Sequence, residues 1–421
     1  SGGLASGSFG SFEFTVGVAV VSGCTDETAC NYNEDATLDD GSCTYPDCAG
    51  DCEGDAVVSP SSQSSGYLYV ALQGMGDQVA VLNADDLSLD ELIDINFSDT
   101  LNQMEMPHYI ILDEVNGYWF LTTMGASSIG MFSLDTNEMI GDPLLLNDSP
   151  ALFEIDVSTK TLYVSRMPNV DLTGGGMMMG SDSFLIDKIN YDSNGMSLTQ
   201  SYDTGHSSPH AISINESSDK IVTASLTHDY ISKIDVLSGT VESVSLDTSI
   251  NDSPSVEVNR LKPLEIVQKN GFAFITCMGG YSSTTEETLN GQVQMWDVAS
   301  MTMLSSIEFE PNSNPWHIVH HPSQDILYVA LSGYQDGNLG ESKVIKLSYQ
   351  NNELSADVES DQSGLTLLHG IEISDDGQFV FISSRSGGIY KFSSNNLELL
   401  ASASFTYMQA PGGIAFKNAS N

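Results

Sequence analysis

From Gly66 to the C-terminus one pattern is written over and over. A short apolar strand, often opened by Pro or His, passes through a polar turn to a second strand rich in Tyr, Val and Ile. A third strand carrying an Asp commonly follows. The runs "PHYIILDEVNGYWFLTT", "PALFEIDVSTKTLYVSR", "PHAISINESSDKIVTAS", "KPLEIVQKNGFAFITC", "PWHIVHHPSQDILYVALS" and "LHGIEISDDGQFVFISSR" share it. Short strands with polar turns, and a unit of roughly 40–60 residues, predict an all-β chain built as a propeller.

Six inner strands begin near His108, Ala151, His210, Leu264, His317 and His369, and "APGGIAFKN" at the C-terminus supplies a seventh. That last strand lacks outer partners, whereas Gly66 to Asp85 lacks an inner one. Joining them predicts a seven-bladed β-propeller over 66–421, closed by its N- and C-terminal segments, which leaves no open sheet edge between first and last blades.

These repeats resemble the YVTN-type, or lactonase-like, propellers. The features are Pro107–His108, Pro209–His210 and "HGIEISDDGQFVFIS" from His369. The resemblance implies the fold over the repeat region. It does not select a function, because that architecture hosts enzymes, cofactor domains and binding proteins.

Ahead of the repeats lie a tail and strand (1–22), a Cys/Asp-rich module (23–56) and a linker (57–65). Five of the six cysteines, Cys24, Cys30, Cys43, Cys48 and Cys52, fall in the module. Their spacings, C-x5-C, C-x12-C, C-x4-C and C-x3-C, lack paired zinc knuckles and predict disulfides in an oxidising compartment. Cys277, in the apolar run "GFAFITC", reads as a buried free thiol. Asp26, Asn31, Asn33, Asp35, Asp39 and Asp40 offer closely spaced oxygens that suit Ca2+; the competing reading is a turn-rich, solvated loop. Gly23–Cys43 resembles a short repeat of secreted marine bacterial surface proteins, which implies an extracellular or outer-surface location.

"SFEFTVGVAVV" alternates, with Phe12, Phe14, Val16, Val18 and Val20 on one face. A closed ring has no vacancy for it, so it is expected to dock on its own chain or to add to a neighbouring copy, as in a filament or surface layer. Charge restricts partners further. With 57 acidic and 13 basic residues the net charge is −44, which repels nucleic acid and anionic membranes. No run of 18 apolar residues predicts a transmembrane helix.

Inner-strand starts and the loops after second strands share one face of a propeller. His108, His210, His317 and His369 and all three arginines, Arg166, Arg260 and Arg385, are therefore expected around the channel mouth. Guanidinium groups there suit a small anionic or carboxylate ligand; the competing reading pairs each Arg with an Asp of its own blade. Axial histidines resemble those of nitrous oxide reductase, but Ala151, Leu264 and Pro411–Gly412 break the ring, so copper at the axis is not expected. His317 and Arg385 with Glu154 or Glu265 would serve a lactonase-like hydrolase. No nucleophile elbow or phosphate loop accompanies them. The leading reading is a non-catalytic, extracellular assembly subunit; the alternative is a ligand-binding or lactonase-like propeller.

Overall fold

The computed structural model describes residues 21–25, 29, 31–39, 42, 66–98, 104–168, 170–171, 177–178, 183–247, 259–282, 285–335 and 337–419. The chain divides into two compact units, Ser1–Gln63 and Ser64–Asn421.

In the first unit Ser22–Gly23 pairs in parallel with Leu38–Asp39, and Cys24 bridges Tyr32. The Cys24 side chain is buried. Asn33 Oδ1 accepts the Asp35 amide at 3.1 Å, an Asx turn, and Asn31 donates to the Ser42 carbonyl. Asp35 and Asn31 are exposed, and Asp39 lies on the short strand. Asp26, Asp40, Cys30, Cys43, Cys48, Cys52 and the alternating strand Phe12, Phe14, Val16, Val18 and Val20 lie outside the described residues.

The second unit holds seven four-stranded antiparallel sheets among the described residues, arranged as a propeller. Blade 1 combines Pro411–Asn418 with Gly66–Leu72, Gln78–Asn83 and Leu89–Asp94, so both ends of the repeat region close the ring. Blades 2 to 7 open with inner strands Pro107–Asp113, Ser149–Asp156, Ala211–Ile214, Pro263–Lys269, Pro315–His320 and Leu368–Ile373. Their second strands are Tyr118–Thr123, Thr161–Met167, Lys220–Ala224, Phe272–Cys277, Ile326–Leu331 and Phe379–Ser384.

The burial pattern follows from this stacking. Second strands are covered on both faces, so "YWFLTT" and "FAFITC" are buried almost throughout. Outer strands have one wet face, and "LLASAS" alternates. The core is correspondingly split into seven apolar clusters, one between each pair of neighbouring blades. Cys277, a free thiol, is fully buried in one of them.

A repeated device fixes the residues around the axis. The inner strand of six blades carries a register shift near its start, as between Pro107 and Ile110 or Pro315 and Ile318. Such a bulge leaves an amide off the ladder. In four blades a second-strand hydroxyl accepts it: Thr122 from Tyr109, Ser165 from Leu152, Thr276 from Glu265 and Ser383 from Gly370, at 2.9 to 3.2 Å. The same hydroxyls donate to carbonyls of the next blade, at Ala151, His210, Trp316 and Gly412. Each such hydroxyl therefore ties its own bulge to the neighbour's axial residue.

Candidate functional site at the channel mouth

The bulges set two tiers of axial residues. The pairing registers put His108, Ala151, His210, Leu264, Trp316, His369 and Gly412 in equivalent places. His317 stands one step deeper, equivalent to Tyr109 and Glu265. In six of the seven blades a proline precedes the first-tier residue and marks it, Leu368 standing there in blade 7: Pro315 is followed by Trp316, as Pro107 is by His108. Reading His317 as a strand start by its residue type therefore misplaces it by one residue.

In six blades the residue just before the inner strand or its proline has a left-handed backbone: Met106, Ser208, Lys262, Asn314, Leu367 and Ala410, with φ between 42° and 54°. For residues with a Cβ this costs about 1 kcal/mol or more each. Two are braced by carboxylates. Asp77 accepts the amides of Glu105 and Met106, and Asp229 those of Arg260, Leu261 and Lys262. Buried, Asp229 still titrates above its ordinary range because desolvation outweighs those bonds.

The tiers enclose a cavity of about 450 Å3. His108, His210, His317, His369, Trp316, Gln73 and Arg385 give it polar and aromatic walls, and Met106, Met124, Met167, Leu226, Leu264 and Met278 an apolar side. A second hollow of about 300 Å3 adjoins it, sharing Met278, Trp316, His369 and Arg385, and reaches Lys262, Asn314 and Tyr334. The latter belong to the mouth loops: Lys262 Nζ donates to the Tyr281 carbonyl at 2.8 Å, and Asn314 Nδ2 to that of Tyr334 at 2.6 Å.

Of the three arginines, only Arg385 lines the cavity. Arg166 is turned aside by Asp187 and Asp148, and Arg260 by Asp247 and Glu287, each at 3.2 Å from Arg260. Arg385 directly follows Ser384, the last residue of the blade 7 second strand. Gln73, Met124, Met167, Leu226, Met278 and Ser332 occupy the same place in the other blades. Three of these seven places are methionines, and they fall into line only when the second strands are aligned by their register with the inner strands. Arg385 Nη2 donates to Gln73 Oε1 at 2.7 Å, and its guanidinium lies 5.7 Å from the Trp316 ring centroid. Its Nε is buried without a partner among the described residues.

His108 and His369 meet with ring centroids 6.3 Å apart, His108 and His210 at 6.2 Å, and His317 and His369 at 4.9 Å. Burial, reinforced by the neighbouring cationic groups, pushes His108 and His369 well below the usual imidazole range. His210 falls to about 4, chiefly by burial. Burial also lowers Arg385 to about 10, which leaves it charged at neutral pH while these imidazoles are neutral. Glu265 lies below, its Oε2 3.0 Å from His317 Nδ1 and 2.6 Å from the Ile318 amide, and its Oε1 3.4 Å from the Tyr109 hydroxyl. Glu154 and Glu372, on the inner strands of blades 3 and 7, are pushed up to about 8, mainly by burial. Among the described residues no group of three or more His, Cys, Asp or Glu side chains is arranged to hold a metal ion. No helix among them is long and apolar enough to cross a membrane.

The chain is thus a seven-bladed propeller with a closed ring and a polar-and-apolar cavity at its axis. No family model matches it, and no curated protein does. Solved structures similar to it include a functionally unknown protein from Desulfotomaculum acetoxidans, at 13% identity over 85% of this chain and 100% of that one, with a TM-score of 0.59. A putative 6-phosphogluconolactonase from Bacteroides fragilis matches at 12% identity over 85% and 100%, TM-score 0.57. A streptogramin B lyase matches at 14% over 76% and 91%, TM-score 0.53. At these identities the likeness is one of fold, lactonase-like propellers included.

Proposed function

We propose that this protein is a ligand-binding propeller whose axial cavity takes a small anionic, carboxylate-bearing molecule. The observation that carries this reading is Arg385: a guanidinium lining the axial cavity, 5.7 Å from the Trp316 ring centroid and bonded to Gln73, with Nε unpartnered and no acidic side chain within ion-pair reach among the described residues. A charge in such a place is costly unless a counter-charge arrives, and a carboxylate meets the guanidinium fork in two bonds. A thermal-shift and calorimetric screen of small carboxylates tests it. Binding by the wild type is expected, weakened at least about tenfold in Arg385→Gln, as loss of a charge-assisted bond implies. If no anion binds the wild type, the reading falls.

The Glu265–His317 contact at 3.0 Å favours a second reading, lactonase-like hydrolysis, in which His317 draws a proton from water. One of the similar structures is a putative 6-phosphogluconolactonase. Lactone hydrolysis lost in His317→Gln is its test.

The N-terminal strand as an assembly device, disulfides and Ca2+ in the Cys/Asp module, and an extracellular location rest on sequence pattern. For the ion, Asn33 is already engaged in an Asx turn, while exposed Asp35 leaves its carboxylate toward solvent. Melting with and without EGTA tests that site: a lower midpoint in EGTA is expected.

A further inference from the structure

The histidines around the cavity are not interchangeable, because their partners decide which ring nitrogen carries the proton. Arginine has no acceptor, so Gln73 must turn its amide oxygen to Arg385. The amide NH2 then faces His108 Nδ1 and donates to it. A neutral His108 therefore carries its hydrogen on Nε2, and that donor is buried without a partner among the described residues. His210 is set the other way. Its Nδ1 lies 2.8 Å from the Leu264 carbonyl, which only accepts, so the proton is on Nδ1 and Nε2 is a lone pair. His317 Nδ1 stands 3.0 Å from a carboxylate oxygen of Glu265 without hydrogen-bond geometry; a proton there is attracted and a lone pair repelled, so in the neutral ring Nε2 is also an acceptor. His369 engages neither ring nitrogen.

The cavity thus presents donors at Arg385 and His108 and lone pairs at His210 and His317, with Met106, Met124, Met167 and Leu226 beside them. We propose that its ligand is a 2-hydroxycarboxylate with an apolar side chain. The carboxylate meets Arg385 and His108 Nε2. The hydroxyl donates to the lone pair of His210 or His317. The side chain lies on the methionines, flexible groups that adapt to varied apolar shapes. This rests on the anionic-ligand reading and sharpens it: a carboxylate without the hydroxyl dehydrates those lone pairs and gives them nothing. A cavity of about 450 Å3 accommodates a molecule of this kind.

The test is calorimetry on the whole chain with lactate, 2-hydroxy-4-methylpentanoate and 3-phenyllactate, each beside its deoxy counterpart: propanoate, 4-methylpentanoate and 3-phenylpropanoate. At least one hydroxy acid with the larger side chains is expected to bind more tightly than lactate. It should exceed its deoxy partner about tenfold or more. That gap should shrink in His210→Leu or His317→Leu. Leu at the His210 position copies Leu264, its equivalent in the next blade, so the fold has precedent for it. Deoxy acids that bind as tightly as hydroxy acids overturn the ligand class and leave the anionic site standing. A gap untouched in both variants overturns the assigned roles. If no acid of either series binds, both readings fall. Should neither variant fold, the wild-type comparison decides alone.

Discussion

Individual residues at the axis carry opposed pH dependences. Glu154 and Glu372 are raised from 4.5 to about 8, chiefly by burial. Folded, they keep protons that the unfolded chain has released, so the stability they contribute is whole below about pH 4.5 and lost as pH rises through about 8. His210, lowered from 6.5 to about 4, acts in reverse: its contribution is lost as pH falls from 6.5 through about 4. Buried His108 and His369 share that direction. Melting temperature is expected to peak near about pH 6, between the two limbs. In Glu154→Gln/Glu372→Gln the alkaline limb should flatten, by up to about 1.4 kcal/mol per pH unit for each residue. Melting curves from pH 4 to 9 check this, and an unchanged alkaline limb refutes it. Size matters at the axis as much as charge. A Cβ on Gly413 would stand 2.4 Å from the His108 carbonyl oxygen, a backbone atom that cannot yield. Gly413→Ala is expected to cost about 1–3 kcal/mol, read by urea denaturation.

At the scale of the strand and its bulge, the hydroxyls of Thr122, Ser165, Thr276 and Ser383 each serve two blades. Thr122→Val keeps the shape and removes both bonds, leaving the Tyr109 amide and the Ala151 carbonyl without that hydroxyl. A loss of about 1–3 kcal/mol is expected, with a matching fall in the denaturation midpoint. No loss would mean that water takes over both bonds. Elements of this kind also mark what a sequence can disclose. Blade number and terminal closure are legible because apolar strands and turn residues recur at each repeat. The offset of His317 is legible only if Pro315 is taken as the anchor, since a bulge shifts register without altering composition. The arginines divide between the two readings the sequence leaves open: Arg166 and Arg260 are captured by acidic neighbours such as Asp187 and Asp247, while Arg385 lines the cavity, and which Arg is captured depends on pairs that form through space. Met124, Met167 and Met278 escape because each looks like ordinary core until the seven second strands are superposed.

For the molecule as a whole, the seven interblade clusters make the ring a closed series of contacts without a central apolar core. Closure depends on Pro411–Asn418 pairing with Gly66–Leu72, where Leu68, Val70, Ile414 and Phe416 join one cluster. A chain ending at Gln409 is expected to lose cooperative unfolding, seen as a broad melt and rapid proteolysis. A chain beginning at Ser64 retains every blade strand and should bind the same anions as the full chain. If the N-terminal strand is the assembly device, that shortened chain will be monomeric in light scattering where the full chain associates. The double-ended hydroxyls give this ring a direction of travel. Ser165 belongs to blade 3 yet holds the His210 carbonyl of blade 4, and Ser383 of blade 7 holds Gly412, on the strand that completes blade 1. Positional information is handed from blades 2, 3, 5 and 7 to their successors. A variant of the cavity selected for a new ligand would then accumulate changes one blade upstream of the side chains that touch it, and retuning His210 would begin at Ser165.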